Sequence, residues 1–328
     1  MEIRLGKVVK RLVLKLLGPG PLGPVLALVV LIFLPLSIGE SWVSLMVEMM
    51  ALAIFATSLN ILIGYGGMVS FGHAAYYGIG AYAYALLLTK AGAPFLLAMV
   101  AAPLFSALGA LIIGWFCVRL SHIYFSMLTL AFGQIVFAVT LQWYGFTRGD
   151  NGITEIPFPP LLQSTQRFYY FALVVLALSL WGMKRVVDSP FGKTLQALRD
   201  NPLRTEFMGI NVRLYSLMAF VIAGAFAGIG GALFAAFNHN VFPTFMHWGK
   251  STEALVVTLL GGMYHFLGPA VGSILLIFLD KMVTSYLRYW SFVLGILLVL
   301  MVLFFRGGFS GYVAGRLQAL GAKKGGSP

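Results

Sequence analysis

Side chains able to do chemistry are scarce in this chain and poorly placed for catalysis. Ten carboxylates, five histidines and one cysteine are spread over 328 residues. Within the apolar runs, no two carboxylates stand at a spacing suited to acid–base work or metal binding. His239 and His247 are eight apart, with no cysteine or neighbouring carboxylate to complete a tetrahedral zinc set. The paired aspartates of a membrane prenyl-transferring enzyme are missing, and so is a phosphate-cradling GxxxxGK[ST] loop. Cys117 lies inside an apolar run and reads as a packing residue. These features argue against an enzyme and imply no cofactor or metal of the chain's own. If nucleotide hydrolysis drives this protein, ATP and magnesium must sit on another polypeptide.

What would position so few polar groups is a set of membrane helices. The chain is 60% hydrophobic and 10% charged, with a mean hydropathy of +0.92. A soluble domain carries about a quarter charged residues. A span needs about 20 mostly apolar residues, and apolar runs place spans near 22–38, 42–63, 69–89, 95–118, 123–142, 168–183, 214–236, 252–279 and 285–305. This predicts one membrane domain over 22–305 between a basic N-terminal segment, 1–21, and a basic tail, 306–328. Basic residues followed by the run 22–38 resemble a signal peptide, but no small-residue cleavage pattern follows, so an uncleaved first span is expected.

The net charge of +12 is scattered over loop ends instead of gathered in a patch, which argues against nucleic acid. Read by the positive-inside rule, it orients the chain. With a cytoplasmic N-terminus, Arg4, Lys7, Lys10, Arg11, Lys15 and Arg119 fall inside. Lys184, Arg185, Lys193, Arg199, Arg204 and Arg213 join them, on the polar island 184–213. Lys90, Arg148, Arg167 and Lys250 fall outside.

Nine full crossings would strand the basic tail outside. Residues 252–280 are expected to fail to cross, because Gly261-Gly262 and Gly268-Pro269 interrupt the helix midway. Two half-helices entering and leaving on the outer face leave Asp280, Lys281 and Arg288 outside and return the tail to the cytoplasm. The fold expected is an all-α polytopic membrane protein with about eight full spans plus this broken segment. That makes eight to ten helices in all, with both termini cytoplasmic.

The same break occurs earlier in the chain. GGMVSF at 66–71 and GGMYHF at 261–266 share GGMxxF, and broken segments in matching positions mark the pathway of many repeat-built transporters. Around the first, residues 60–82 are dense in small and polar groups, so Asn60, Ser70 and His73 are candidates to line a translocation path. Helix packing is the plainer reading for the glycines there. Carboxylates inside a span usually mark ion coupling. Glu48 and Glu253 are the candidates, but each lies close to the outer end of its span.

On the expected outer face, TRGDNG at 147–152 is a turn-rich loop in which Arg148, Asp150 and Asn151 could dock an extracytoplasmic partner or simply form a solvated turn. Trp42, Trp143, Trp181, Trp248 and Trp290 fall near span ends, as an interfacial belt requires.

The island reads KRVVDSPFGKTLQALRDNPLRTEFMGINVR. Pro190 and Gly192 suggest a turn, followed by a short amphipathic helix over 193–200 with Leu195 and Leu198 on one face. Asn201-Pro202 breaks it, and a second helical piece over 203–208 is expected to end at Gly209. Two short helices joined by a turn can present a knob to a groove on a soluble partner. A basic loop held at the headgroups is the alternative.

SPFGKTLQALRDNPLRTEFMGINVRLYSLMAFVIAGAFAGIGGAL resembles the coupling segment and following helix of the branched-chain amino acid ABC transporter permeases, in particular the longer of the two permease subunits. LNILIGYGGMVSFGHAAYYGIGAY, TRGDNGI and LLGGMYHFLGPAVGSIL resemble further stretches of that family in the same order, over about residues 40 to 312. The resemblance implies an importer with a second permease, two cytoplasmic ATPase subunits and an extracytoplasmic substrate-binding protein, in a bacterial or archaeal plasma membrane. It places Gly192, Arg199, Asp200, Glu206, Gly209 and Asn211 in the segment that meets an ATPase. Where ABC importers commonly have Glu-Ala-Ala, this chain has Glu206-Phe207-Met208. Urea or short amides in a sister system, and an ion-coupled secondary transporter, are the alternatives to branched-chain amino acids and ATP.

Overall fold

The computed structural model describes residues 39–284, with 31–33, 35, 292, 295 and 296 beyond them. The expected spans 22–38 and 285–305 fall almost wholly outside the described residues, and the terminal segments 1–21 and 306–328 wholly so, together with their orientation.

Among the described residues, eight helices of six residues or more precede a closing hairpin. They are α1 (Glu40–Asn60), α2 (His73–Thr89), α3 (Phe95–Cys117), α4 (His122–Gln142), α5 (Thr165–Asp188), then the short α6 (Pro190–Asp200) and α7 (Pro202–Phe207), and α8 (Val212–Asn238). A hairpin of α9 (Trp248–Gly261) and α10 (Gly268–Thr284) follows. Among the described residues, five helices are long and apolar enough to cross a membrane: α1 with its continuation to Tyr65, α3, α4, α5 and α8. The protein is therefore a multi-pass helical membrane protein. At 17 residues each, α2 and α10 reach about 25 Å, and α9 is shorter still, against a hydrocarbon core of about 30 Å.

Burial separates these helices into two classes. In α1, 83% of the apolar window is buried, and in α8, 61%, while α3, α4 and α5 bury about a third or less. A helix that is apolar all round belongs in the centre of a bundle. Accordingly, α8 packs on α1, α2 and α3, and α1 also meets α5, α9 and α10. Small residues let backbones close together where hydrophobic burial gives no drive inside lipid. Gly228 of α8 faces Gly80 of α2, and Gly231 lies on the Tyr77 carbonyl. Ser106 Oγ of α3 lies 2.7 Å from both the Tyr76 and Gly224 carbonyls, stitching three helices with one hydroxyl. Cys117 is buried in this packing.

Two expectations about span ends change. The helix over 69–89 starts only at His73, because 66–72 is unwound. The helix expected to end at 183 runs on to Asp188, so Lys184 and Arg185 extend a span instead of forming a loop. One feature is not helical at all. Ile153–Thr154 (β1) pairs antiparallel with Asn240–Val241 (β2) and ties together the two loops at the end of the bundle away from the island.

The hairpin follows the expected break. α9 stops at Gly261, a turn spans 262–267, and α10 returns, with Gly261, Gly268 and Gly272 packed backbone to backbone. Thr258 Oγ1 donates to the Ala56 carbonyl, and Met263 meets Gly64, so α9 runs parallel to α1. Asp280 and Lys281 of α10 come back toward Glu48, near the start of α1. The hairpin therefore enters and leaves at the end away from the island, and its tip reaches the island itself.

Candidate coupling and translocation site

The island folds through side-chain caps. Ser189 starts α6, its hydroxyl accepting from Gly192 N–H at 3.4 Å. Pro190 is the first helical residue, where its missing N–H costs nothing. Pro190 and Gly192 are thus the first turn of the helix and not a separate turn. Gly192 is buried against the Val187 carbonyl, where a side chain has no room. Leu195 and Leu198 are buried, as the amphipathic pattern requires.

Asn201 ends α6 and caps α7, its Oδ1 accepting from Arg204 N–H at 2.9 Å. Such a cap is worth about 1 kcal/mol. Gly209, at φ +82°, closes α7, and Asn211 Oδ1 caps α8 by accepting from Leu214 N–H at 3.1 Å. The resulting knob carries exposed apolar side chains: Leu203, Met208, and Phe207 at 90% exposure. Glu206 and Gly209 are exposed beside them.

Arg199 and Asp200 do something different. The Arg199 guanidinium is held by Asp200 Oδ1, from Nε at 3.0 Å and Nη2 at 2.9 Å. Its Nη1 donates to the Gly64 carbonyl at 2.7 Å. Its centre lies 5.8 Å from the Tyr264 ring, and its stem lies against Gly67. Arg199 therefore joins the island to both GGM segments.

The carbonyl that Arg199 takes is released by the local backbone. After Asn60, α1 widens into a π-turn, Ile61–Tyr65, a feature that recurs at functional sites. The carbonyls of Ile61, Leu62 and Ile63 accept from Gly66, Gly67 and Met68. Beyond Gly66 the chain turns back into the bundle. Phe71 N–H donates to Thr129 Oγ1 at 3.2 Å, and Ser126 Oγ donates to the Val69 carbonyl at 2.7 Å. The side chains of α4 thus satisfy the unwound backbone, as irregular chain at membrane depth requires. Ser251 of α9 accepts from Ala74 N–H at 2.8 Å and satisfies the start of α2.

The three path candidates are all buried, Asn60 at the end of α1, Ser70 on the unwound stretch and His73 at the start of α2. His73 Nε2 is 2.9 Å from Ser58 Oγ, whose own proton goes to the Phe55 carbonyl at 2.6 Å. The network thus assigns the proton to Nε2 and leaves Nδ1 as an acceptor. Nδ1 has no partner, nor have Ser70 Oγ, Thr57 Oγ1 and both amide atoms of Asn60. All four residues are 1% exposed or less. Leaving a buried polar atom unmet costs about 1–3 kcal/mol, so these atoms of the polar cluster add nothing to the packing themselves. The sequence reading missed Thr57 and Ser58; the spacing of Thr57 and Asn60, three apart on one helix face, was the available signal.

The other candidates lie away from this cluster. Arg148, Asp150 and Asn151 are exposed on the loop at the far end, anchored by Thr147, whose hydroxyl lies 2.6 Å from the Thr140 carbonyl and 2.8 Å from that of Trp143. Glu253 pairs with Lys250 at 2.7 Å, and Glu48 is half-buried nearby. His247 caps α9 by accepting from Gly249 N–H at 3.2 Å, and His239 ends α8 with its ring against Phe158.

A family model described as the permease component of the branched-chain amino acid transport system matches residues 41–302. The chain belongs to that family. It is a transport subunit and not an enzyme. The permease is 30% identical to the high-affinity branched-chain amino acid transport system permease protein LivM of Escherichia coli, over 84% of this chain and 71% of the relative. It is 22% identical to a probable branched-chain amino acid transport permease protein LivM of Methanocaldococcus jannaschii, over 54% and 53%. It is 26% identical to the guanosine ABC transporter permease protein NupQ of Bacillus subtilis, over 44% and 48%. No solved structure matches the permease significantly.

Proposed function

We propose that this permease is one of two membrane subunits of an ATP-driven importer for branched-chain amino acids. Separate cytoplasmic ATPase subunits drive it, and an extracytoplasmic binding protein feeds it, in the plasma membrane of a bacterium or archaeon. One observation carries the reading: a capped two-helix knob presents Leu203, Phe207 and Met208 to solvent in a chain that has no nucleotide loop. An exposed aromatic anchor suits a groove on a partner. In this reading the island is cytoplasmic, Glu206, Phe207 and Gly209 meet an ATPase, and Arg148, Asp150 and Asn151 face the binding protein. Asn60, Ser70 and His73 belong to the path that opens when the two permeases part.

The test is reconstitution of the permease with its ATPases, second permease and binding protein in liposomes. Leucine uptake should require ATP, and uptake of leucine without ATP would defeat the proposal. The resemblance to guanosine and ribose permeases supports a second substrate class, and competition of leucine uptake by guanosine, ribose or urea decides between them. An ion-coupled mechanism fits less well, because Glu253 is already engaged by Lys250. Under that mechanism, E48Q with E253Q abolishes uptake while assembly is kept.

A further inference from the structure

We infer that Arg199 is a positioning residue, the latch that makes the island, the π-turn of α1 and the tip of the α9–α10 hairpin move as one body. The inference rests on the reading of the island as an ATPase-docking element, but it concerns what happens behind the knob. The family resemblance places Arg199 in the segment that meets a partner. The geometry turns it inward.

Three helices end around its guanidinium. It sits in the last turn of α6, it bonds the π-turn that closes α1, and it lies over the turn that follows α9. Helix C-termini carry partial negative charge from their unpaired carbonyls, so a cation is the group that can hold three of them together. Only a planar fork can bond a carbonyl, chelate a carboxylate and lie across a ring at once, and lysine offers a single point charge instead. Asp200, itself exposed, fixes the plane of the fork. Two glycines make room. Gly67, at φ +67°, would place a side chain 2.9 Å from Arg199 Cγ, and Gly64 would meet Met263.

What the latch moves is the reason for it. Gly64 lies one helical turn beyond Asn60, whose amide would meet a side chain at 64. Asn60 belongs to the buried cluster with unpartnered atoms at Thr57, Ser70 and His73. A pull on α6 therefore reaches the Gly64 carbonyl through one hydrogen bond and the polar cluster through one further turn. The same pull tilts α9, whose Ser251 holds the start of α2. Displacement of the island thus shifts both sides of the cluster without any contact between the cluster and the partner.

The experiment uses the complete complex and two readouts. In R199A, the ATPases should still co-purify and hydrolyse ATP, while leucine moved per ATP falls about tenfold; R199K should fall between. Unchanged leucine per ATP in R199A overturns the latch. Because Cys117 is the only cysteine and is buried, spin labels can be placed at K193C and H265C, both exposed. Their distance should stay constant between ATP-free and ATP-bound complexes with Arg199 present, and broaden in R199A. A distance that changes with ATP while Arg199 is present overturns the latch even if R199A fails to assemble. Should no ATPase bind the unaltered permease, the functional reading fails on its own. The label pair in the membrane-embedded permease alone then still decides, being narrow with Arg199 and broad in R199A if the latch holds.

Discussion

The two GGM segments of this permease share a motif and a position at the end of a helix, yet they fold differently. The second, after α9, closes on itself. His265 N–H donates to Gly262, Gly268 N–H to His265, and Gly261 lies on the Gly268 backbone. The first, after α1, opens out. Its seven residues, 66–72, run back into the bundle on hydrogen bonds supplied by Ser126 and Thr129 of α4. A tight turn needs only its own chain, whereas an unwound segment inside a membrane needs a neighbour to meet its backbone. The first segment also leaves Ser70 and His73 with unpartnered atoms, while the second exposes Tyr264 and His265.

The largest effect that tests this contrast comes from adding one methyl at the equivalent first glycine. G261A drives a methyl into the Gly268 backbone, which cannot yield, and should cost about 3 kcal/mol. In G66A the methyl meets the Leu62 carbonyl and the flexible end of Met68, which can give way, so the cost should be about 1 kcal/mol. Thermal unfolding of the two variants in detergent measures the difference, and equal losses would erase the distinction between a closed and an open break.

Next is N60L. If the amide were there for stability, removing it would hurt. Because both its polar atoms are unpartnered, the leucine should leave the unfolding midpoint unchanged or higher, while leucine uptake drops about tenfold. A lower midpoint with normal uptake would return Asn60 to the packing.

G67A probes the first break where it meets the island. The positive φ and the approach to Arg199 predict a loss of about 1–2 kcal/mol, together with reduced uptake per ATP. The smallest change is Y264L on the exposed tip, which removes a cation–π contact worth about 0.5–1 kcal/mol. A larger loss than that of G261A would mean that the hairpin is held by its tip and not by its glycines.

Much of this was legible in the chain. Apolar runs located α3, α4 and α8 within about three residues, and Gly261-Gly262 with Gly268-Pro269 marked the hairpin, because closely spaced glycines followed by a proline weaken a helix locally. Asn201-Pro202 announced the boundary between α6 and α7 for the same local reason. Gly66-Gly67 marked a break, but the start of α2 at His73 was not legible, since the backbone before it is met by the hydroxyl pair on α4, more than fifty residues away. The contacts of Arg199 were not legible either. Its position on an amphipathic helix says which face it occupies, but not that a released carbonyl waits there.

Taken alone, the sequence determined the membrane character, the helix runs and the two-helix island, because each follows from composition or from contacts within a few residues, and its motifs carried the family resemblance. Tertiary structure decided that the two glycine breaks meet, that one is open and the other closed, and that Arg199 joins them to the island. Those outcomes depend on which backbone carbonyl is left without a donor and which side chain from a distant helix can reach it, and no local pattern encodes either.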